Sequence, residues 1–194
     1  MNTTREQIVT AAARLFESHG YFGTGLNEVV KVSGAPKGVL YYYFPEGKEQ
    51  LTAAAIAESA EQLAANMRQE LGDTPGPAAA VDAICTFMLR LADYVEAGAC
   101  RVGAPIAAVA LETAGTSDRL GAACAGAYSV LESVVAARLA AGGWTPAAAA
   151  SLATFVIAAF EGGIILARAR RSADPIRQNA AHLRTLLVAS LPEA

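Results

Sequence analysis

The sequence predicts an all-α fold of about nine helices. Three observations carry that expectation. Alanine, the best helix former, makes up nearly a quarter of the 194 residues. Apolar residues recur at helical spacing along most of the chain. Val, Ile, Thr and the aromatics never alternate over a strand length, so a sheet is hard to place. Hydrophobic residues amount to 54% and charged residues to 17%, the opposite of the balance that keeps a chain disordered.

The helices are punctuated in order. Thr4 and Gln7 have the spacing of a capping box. Ile8, Ala12, Leu15 and Phe16 then share one face, and Gly20 suits the residue just past a helix end. A short helix fits Leu26 to Val32, broken by Ser33-Gly34-Ala35-Pro36. A second starts at Pro36 or Lys37, runs to Tyr43 and is ended by Pro45-Glu46-Gly47. A long helix spans about Gly47 to Leu71, with Ile56, Ala60, Leu63 and Met67 inward. The run Gly72 to Pro77 is the strongest breaker. The next helix covers about Ala78 to Glu96, with Ile84, Phe87, Met88, Leu91 and Val95 inward. After an irregular connection, a short helix leads from Pro105 to about Glu112. Thr116 or Ser117 caps another long helix, which ends at Gly142-Gly143. Thr145-Pro146 and Asp174-Pro175 both read as an N-cap followed by Pro at the first helical position. Those last two helices end near Arg171 and Ser190. The expected division is a three-helix unit over 1–48 and a larger helical body over 49–194.

Charge and cysteine usage exclude several classes. The net charge is −3 and the pI about 5.4, so a uniformly basic nucleic-acid coat is ruled out while a local binding face is not. Residues 1–48 hold five basic residues against four acidic; the remainder holds ten against fourteen. Cys85, Cys100 and Cys124 are odd in number and lack CxxC spacing, against a disulfide framework or a zinc site. They read as small core residues, with Cys100 in a loop the one to test with peroxide. His19 and His182 have no second ligand at metal spacing, so no metal or cofactor is expected. The first six residues lack the apolar run of a signal peptide. Ala147–Ala167 is nearly long enough to span a bilayer. It carries Ser151, Thr154, Glu161 and Gly162-Gly163, and reads better as a helix in a core or subunit interface, in a cytoplasmic protein without a membrane partner.

Function concentrates in Thr24–Phe44, TGLNEVVKVSGAPKGVLYYYF. Two short helices joined by a glycine-containing turn make a helix-turn-helix. In the second helix Lys37, Gly38, Tyr41 and Tyr42 take the N-terminal and outward positions, and Val39, Leu40 and Phe44 are left to anchor it or to face a groove. Gly38 disfavours a helix but permits close approach to a sugar-phosphate backbone. Lys37 supplies a charge for phosphate or guanine; the tyrosines supply hydroxyl donors and flat rings for phosphate and thymine methyls. Lys48 and Thr24, each at the start of a helix, are further phosphate candidates. Pro36 completes the expected DNA-binding set.

This segment resembles the TetR/AcrR family of transcriptional regulators. Thr24, Gly34, Gly38, Leu40, Tyr41 and Phe44 match the family pattern outright; Gly25, Val30, Ser33 and Pro36 depart from it. Ala35-Pro36-Lys37-Gly38, Phe44-Pro45-Glu46-Gly47-Lys48-Glu49, Gly103-Ala104-Pro105 running on to Leu111-Glu112, and Glu161-Gly162 are similar to the LmrA/YxaF-like branch. The resemblance implies a C-terminal ligand-binding and dimerisation domain, with the last two helices of each subunit in a four-helix bundle. The residues agree, since the helix from Pro146 is apolar nearly all round. Ala159, Gly162, Gly163, Leu166, Leu183 and Leu187 are the expected interface. A homodimer would place two reading helices about one DNA turn (roughly 34 Å) apart, on a palindromic double-stranded operator. The resemblance also implies a pocket for a small apolar or aromatic effector, with Phe87, Met88, Leu91, Tyr94, Val109, Tyr128, Phe155 and Phe160 as candidate lining. The chain so read is a ligand-released repressor. The alternatives are a helical enzyme of unknown chemistry and a ligand-independent DNA-binding protein. No phosphate loop, nucleophile elbow or supported Ser/His/Asp spacing favours an enzyme.

Overall fold

The computed structural model describes residues 3–191, and among them all regular structure is helical. The elements are α1 (Thr4–His19), α2 (Leu26–Ser33), α3 (Lys37–Tyr43), α4 (Lys48–Leu71), α5 (Pro77–Ala97), α6 (Pro105–Thr113), α7 (Asp118–Ala141), α8 (Pro146–Arg170) and α9 (Asp174–Ala189). Helix ends follow the expected punctuation to within a residue or two. Two caps differ. The capping box at α1 is formed one residue earlier, by Thr3 and Glu6, because Thr3 holds the extended conformation an N-cap needs. Asp174 is the first residue of α9, not its cap: the Ser172 hydroxyl accepts the Asp174 N–H.

The chain forms two compact units. The first comprises residues 3–62 and 104–128. In it α1 packs against α2, α3 and α6. Its core holds Ile8, Ala12, Phe16, Val29, Leu40, Phe44 and Leu51. The α2–α3 turn depends on Gly34, whose φ of 69° lies in the left-handed region that side chains resist. Two ties bind later segments into this unit. The Phe22 N–H donates to Glu112 Oε2 of α6 at 2.8 Å. Arg119 of α7 pairs with Glu46 in the α3–α4 turn.

The second unit comprises residues 63–103 and 129–191. There α9 packs on α5 and α8. Val81, Ile84, Met88, Ala92 and Val95 make the buried stripe of α5; Ile176, Ala180, Leu183 and Leu187 make that of α9. Ion pairs flank the seam: Arg177 reaches Asp93 at 3.0 Å and Glu96 at 2.8 Å, and Arg184 reaches Asp82 at 2.6 Å. Gly163 lets α8 approach α9, because a Cβ there would stand 3.1 Å from Asn179 Nδ2 and 3.3 Å from Ile176. Asn179 Nδ2 in turn donates to the Ala159 carbonyl at 2.8 Å. All three cysteines are free and buried, Cys100 included, so its place in a loop does not expose it.

Candidate nucleic-acid interface

The helix-turn-helix presents the expected edge. Leu40 is fully buried and Phe44 nearly so, which fixes α3 to the unit's core. Their partners on the other side of the helix face outward. Pro36, Lys37 and Gly38 are exposed, Tyr41 is 44% exposed and Tyr42 79%. An aromatic side chain left that open on a 7-residue helix has no role in the core. Tyr43, absent from the expected set, also reaches the surface and meets the Tyr42 ring edge-on at 5.2 Å. Three consecutive tyrosines gave the clue, since a seven-residue helix anchored by one leucine buries only one side of its surface. The result is a surface of hydroxyl donors and aromatic faces beside one lysine, with chemistry suited to phosphates and base edges.

Gly38 differs from the structural glycines. Its φ is not in the left-handed region, and a Cβ built on it would meet nothing within 4 Å. Nothing inside the chain requires glycine there.

Two expected residues make contacts within the chain. Thr24 is buried, and its hydroxyl donates to the Gly20 carbonyl at 2.8 Å. In the chain by itself this bond tightens the loop ahead of α2. Lys48 opens α4 half-buried, with Nζ 4.1 Å from the Tyr21 ring centroid. Burial pushes this ammonium below its ordinary value, and the Glu112 charge acts in the opposite direction. Arg5 lies near the same edge, its guanidinium 5.6 Å from the Phe44 ring centroid, and was missed because a cation in a first helical turn looks like ordinary surface.

The eight candidate pocket residues do not share one environment. Met88, Val109 and Phe160 are buried, while Phe87, Leu91 and Tyr128 are half-buried. Phe87 and Phe160 stack, with centroids 5.9 Å apart and planes within 5°. Tyr94 is 56% exposed and Phe155 is 48% exposed. Both lie off the inward stripe of their helix, between the buried positions that helical periodicity selects. Of the expected interface residues, Leu166 is exposed, and Ala159 and Gly162 are half-buried. Gly163 is buried against Ile176 and Asn179 of α9, and Leu183 and Leu187 are buried on α9, which packs on α5 and α8 of the same chain. Beside Leu166, the exposed large apolar side chains of α8 are Phe155 and Ile165, and α9 adds Leu186 and Val188.

Comparison with known proteins agrees with this geometry. Residues 8–61 match the family described as bacterial regulatory proteins, tetR family. Residues 80–182 match the LmrA/YxaF-like transcriptional regulator C-terminal domain. The chain is similar to the HTH-type transcriptional regulator LmrA of Bacillus subtilis, 38% identical over 89% of this chain and 90% of that protein. It is similar also to the uncharacterized HTH-type regulator YxaF of the same organism, 35% identical over 89% of each. Among solved structures, a TetR transcriptional regulator from Chloroflexus aurantiacus superposes with a TM-score of 0.75 at 28% identity, covering 95% of this chain and 94% of that one.

Proposed function

The chain belongs to the TetR family of bacterial transcriptional regulators, with a C-terminal domain of the LmrA/YxaF-like kind, and from that premise we propose that it is a cytoplasmic, dimeric repressor released from its operator by a small apolar or aromatic effector. The single observation that carries DNA reading is the two-sided character of α3. Leu40 has no exposure, while Tyr42, half a helical turn away, is the most exposed tyrosine on the same helix. A core helix would bury its aromatics, whereas a helix that enters a groove anchors one side and leaves the other bare.

Dimerisation is supported by uncovered apolar surface. The most apolar 18-residue stretch of α8 has a mean hydropathy of 1.9, yet only 39% of it is buried. Phe155, Ile165, Leu166, Leu186 and Val188 are all exposed. Apolar faces of this extent on a soluble regulator mark an interface. A two-fold axis would pair α8 and α9 with the same helices of a second copy and set two reading helices on successive major grooves. A Cβ on Gly162 meets nothing inside the chain, which leaves that position open to a partner's backbone.

The test is selection of genomic fragments by the purified protein, followed by footprinting. The reading expects one palindromic site with half-sites about one helical turn, or a multiple, apart. Apolar aromatic compounds should then lower the affinity. Binding without sequence preference, at any salt concentration, would contradict it.

A further inference from the structure

A cleft of about 580 Å³ lies in the second unit, and none of the residues expected to line the effector pocket is part of its wall. Its wall includes the end of α4 and the last turns of α7. Arg138 of α7 lines it and is only 4% exposed. A guanidinium stays charged when buried. Here Nε donates to the Leu71 carbonyl at 3.1 Å and Nη2 to the Thr74 carbonyl at 2.8 Å. These caps supply the partial charge of a helix C-terminus but no full counter-ion. No carboxylate forms an ion pair with Arg138 among the described residues, and Nη1, closed off from solvent, has no acceptor. A buried cation in that state is expensive unless something pairs with it. The rest of the wall indicates what does. Arg68 adds a second positive charge and Asp73 one negative. The balance favours a single negative charge and opposes a dianion. Leu71, Val134 and Ala137 add apolar surface, and the volume matches a small organic molecule.

We propose that this cleft binds a small organic monoanion, a carboxylate on a hydrocarbon or aromatic body. A carboxylate in the cleft supplies the counter-ion that the Arg138 guanidinium lacks, and the exposed Arg68 is a second cation on the same wall. The site is separate from the operator-reading edge, so it can be tested by binding alone.

Thermal unfolding of the full chain with benzoate, with benzamide, and with sodium chloride at matched ionic strength is the experiment. Benzoate at about ten times its Kd should raise the Tm by about 3–5 °C. Benzamide has the same ring without the charge and should raise it far less; chloride should leave it unchanged. Arg138→Gln should abolish the benzoate shift, but it also removes the cap on α4. Ala137→Glu is therefore the second variant. It places a carboxylate on the cleft wall, so it should raise the Tm of the ligand-free protein and abolish the benzoate response. No benzoate shift, equal shifts from benzoate and benzamide or from benzoate and chloride, or a benzoate shift that survives in Ala137→Glu would each overturn the proposal.

Discussion

Gly38→Ala should separate stability from function. Glycine within a helix costs about 0.5–1 kcal/mol relative to alanine. Position 38 is the second residue of α3, near the helix start, so the gain should fall at the lower end, about 0.5 kcal/mol. The new methyl group meets no atom of the chain within 4 Å, so no internal clash offsets that gain. The Tm should rise by about 1–2 °C. If Gly38 is kept because it lies against a sugar-phosphate backbone, the same methyl group must push the helix outward. A shift that costs about 1.4 kcal/mol of contacts weakens operator binding tenfold. Circular dichroism gives the Tm, and fluorescence anisotropy with labelled operator gives the Kd. A raised Tm with unchanged Kd would refute the argument, because residue 38 would then face solvent in the complex. A lowered Tm would show that the glycine serves the fold.

Other perturbations follow from the same structure. Gly20→Ala should cost about 2–3 kcal/mol and lower the Tm by about 5–10 °C: its φ of 73° with ψ near 180° belongs almost solely to glycine, and the Cβ would stand 2.0 Å from Glu112 Oε1. Phe155→Glu combined with Leu166→Glu should yield a folded monomer by light scattering, since both side chains already face outward; a dimer that persists would move the interface elsewhere. Arg177→Met should lower the Tm at neutral pH, with the gap to the parent protein closing in acid. The Arg177 hydrogen bond and charge hold the Glu96 carboxyl below its ordinary value. That contribution is present above the ordinary carboxylate range and disappears as pH falls through the lowered value. A gap independent of pH would mean that Arg177 acts by packing alone.

Elements and site were legible to different degrees. Helix ends could be read because Gly20, Gly34, Pro105, Thr145 and Gly142-Gly143 act through local backbone chemistry, which sequence spacing reveals. The α3 edge was legible because one buried leucine and one buried phenylalanine leave a single outward direction on so short a helix. The ends of α8 and α9 were equally clear, but their faces were not. Gly163, Leu183 and Leu187 fit an intersubunit stripe and a stripe packed within the chain equally well, because both stripes are apolar and only the position of the neighbouring helix selects between them. Thr24 shows the same limit. A threonine ahead of a helix can offer its hydroxyl outward or turn it back onto the chain, and here it turns back onto Gly20.

Operator affinity of Tyr42→Ala and Lys37→Ala, measured beside their Tm and mass in solution, bears most directly on α3 as the DNA-reading element. Both side chains are exposed, so their loss should leave folding and assembly intact. The Kd for the selected operator should rise by about tenfold or more for each. Unchanged affinity in a folded protein of unchanged mass would contradict the account.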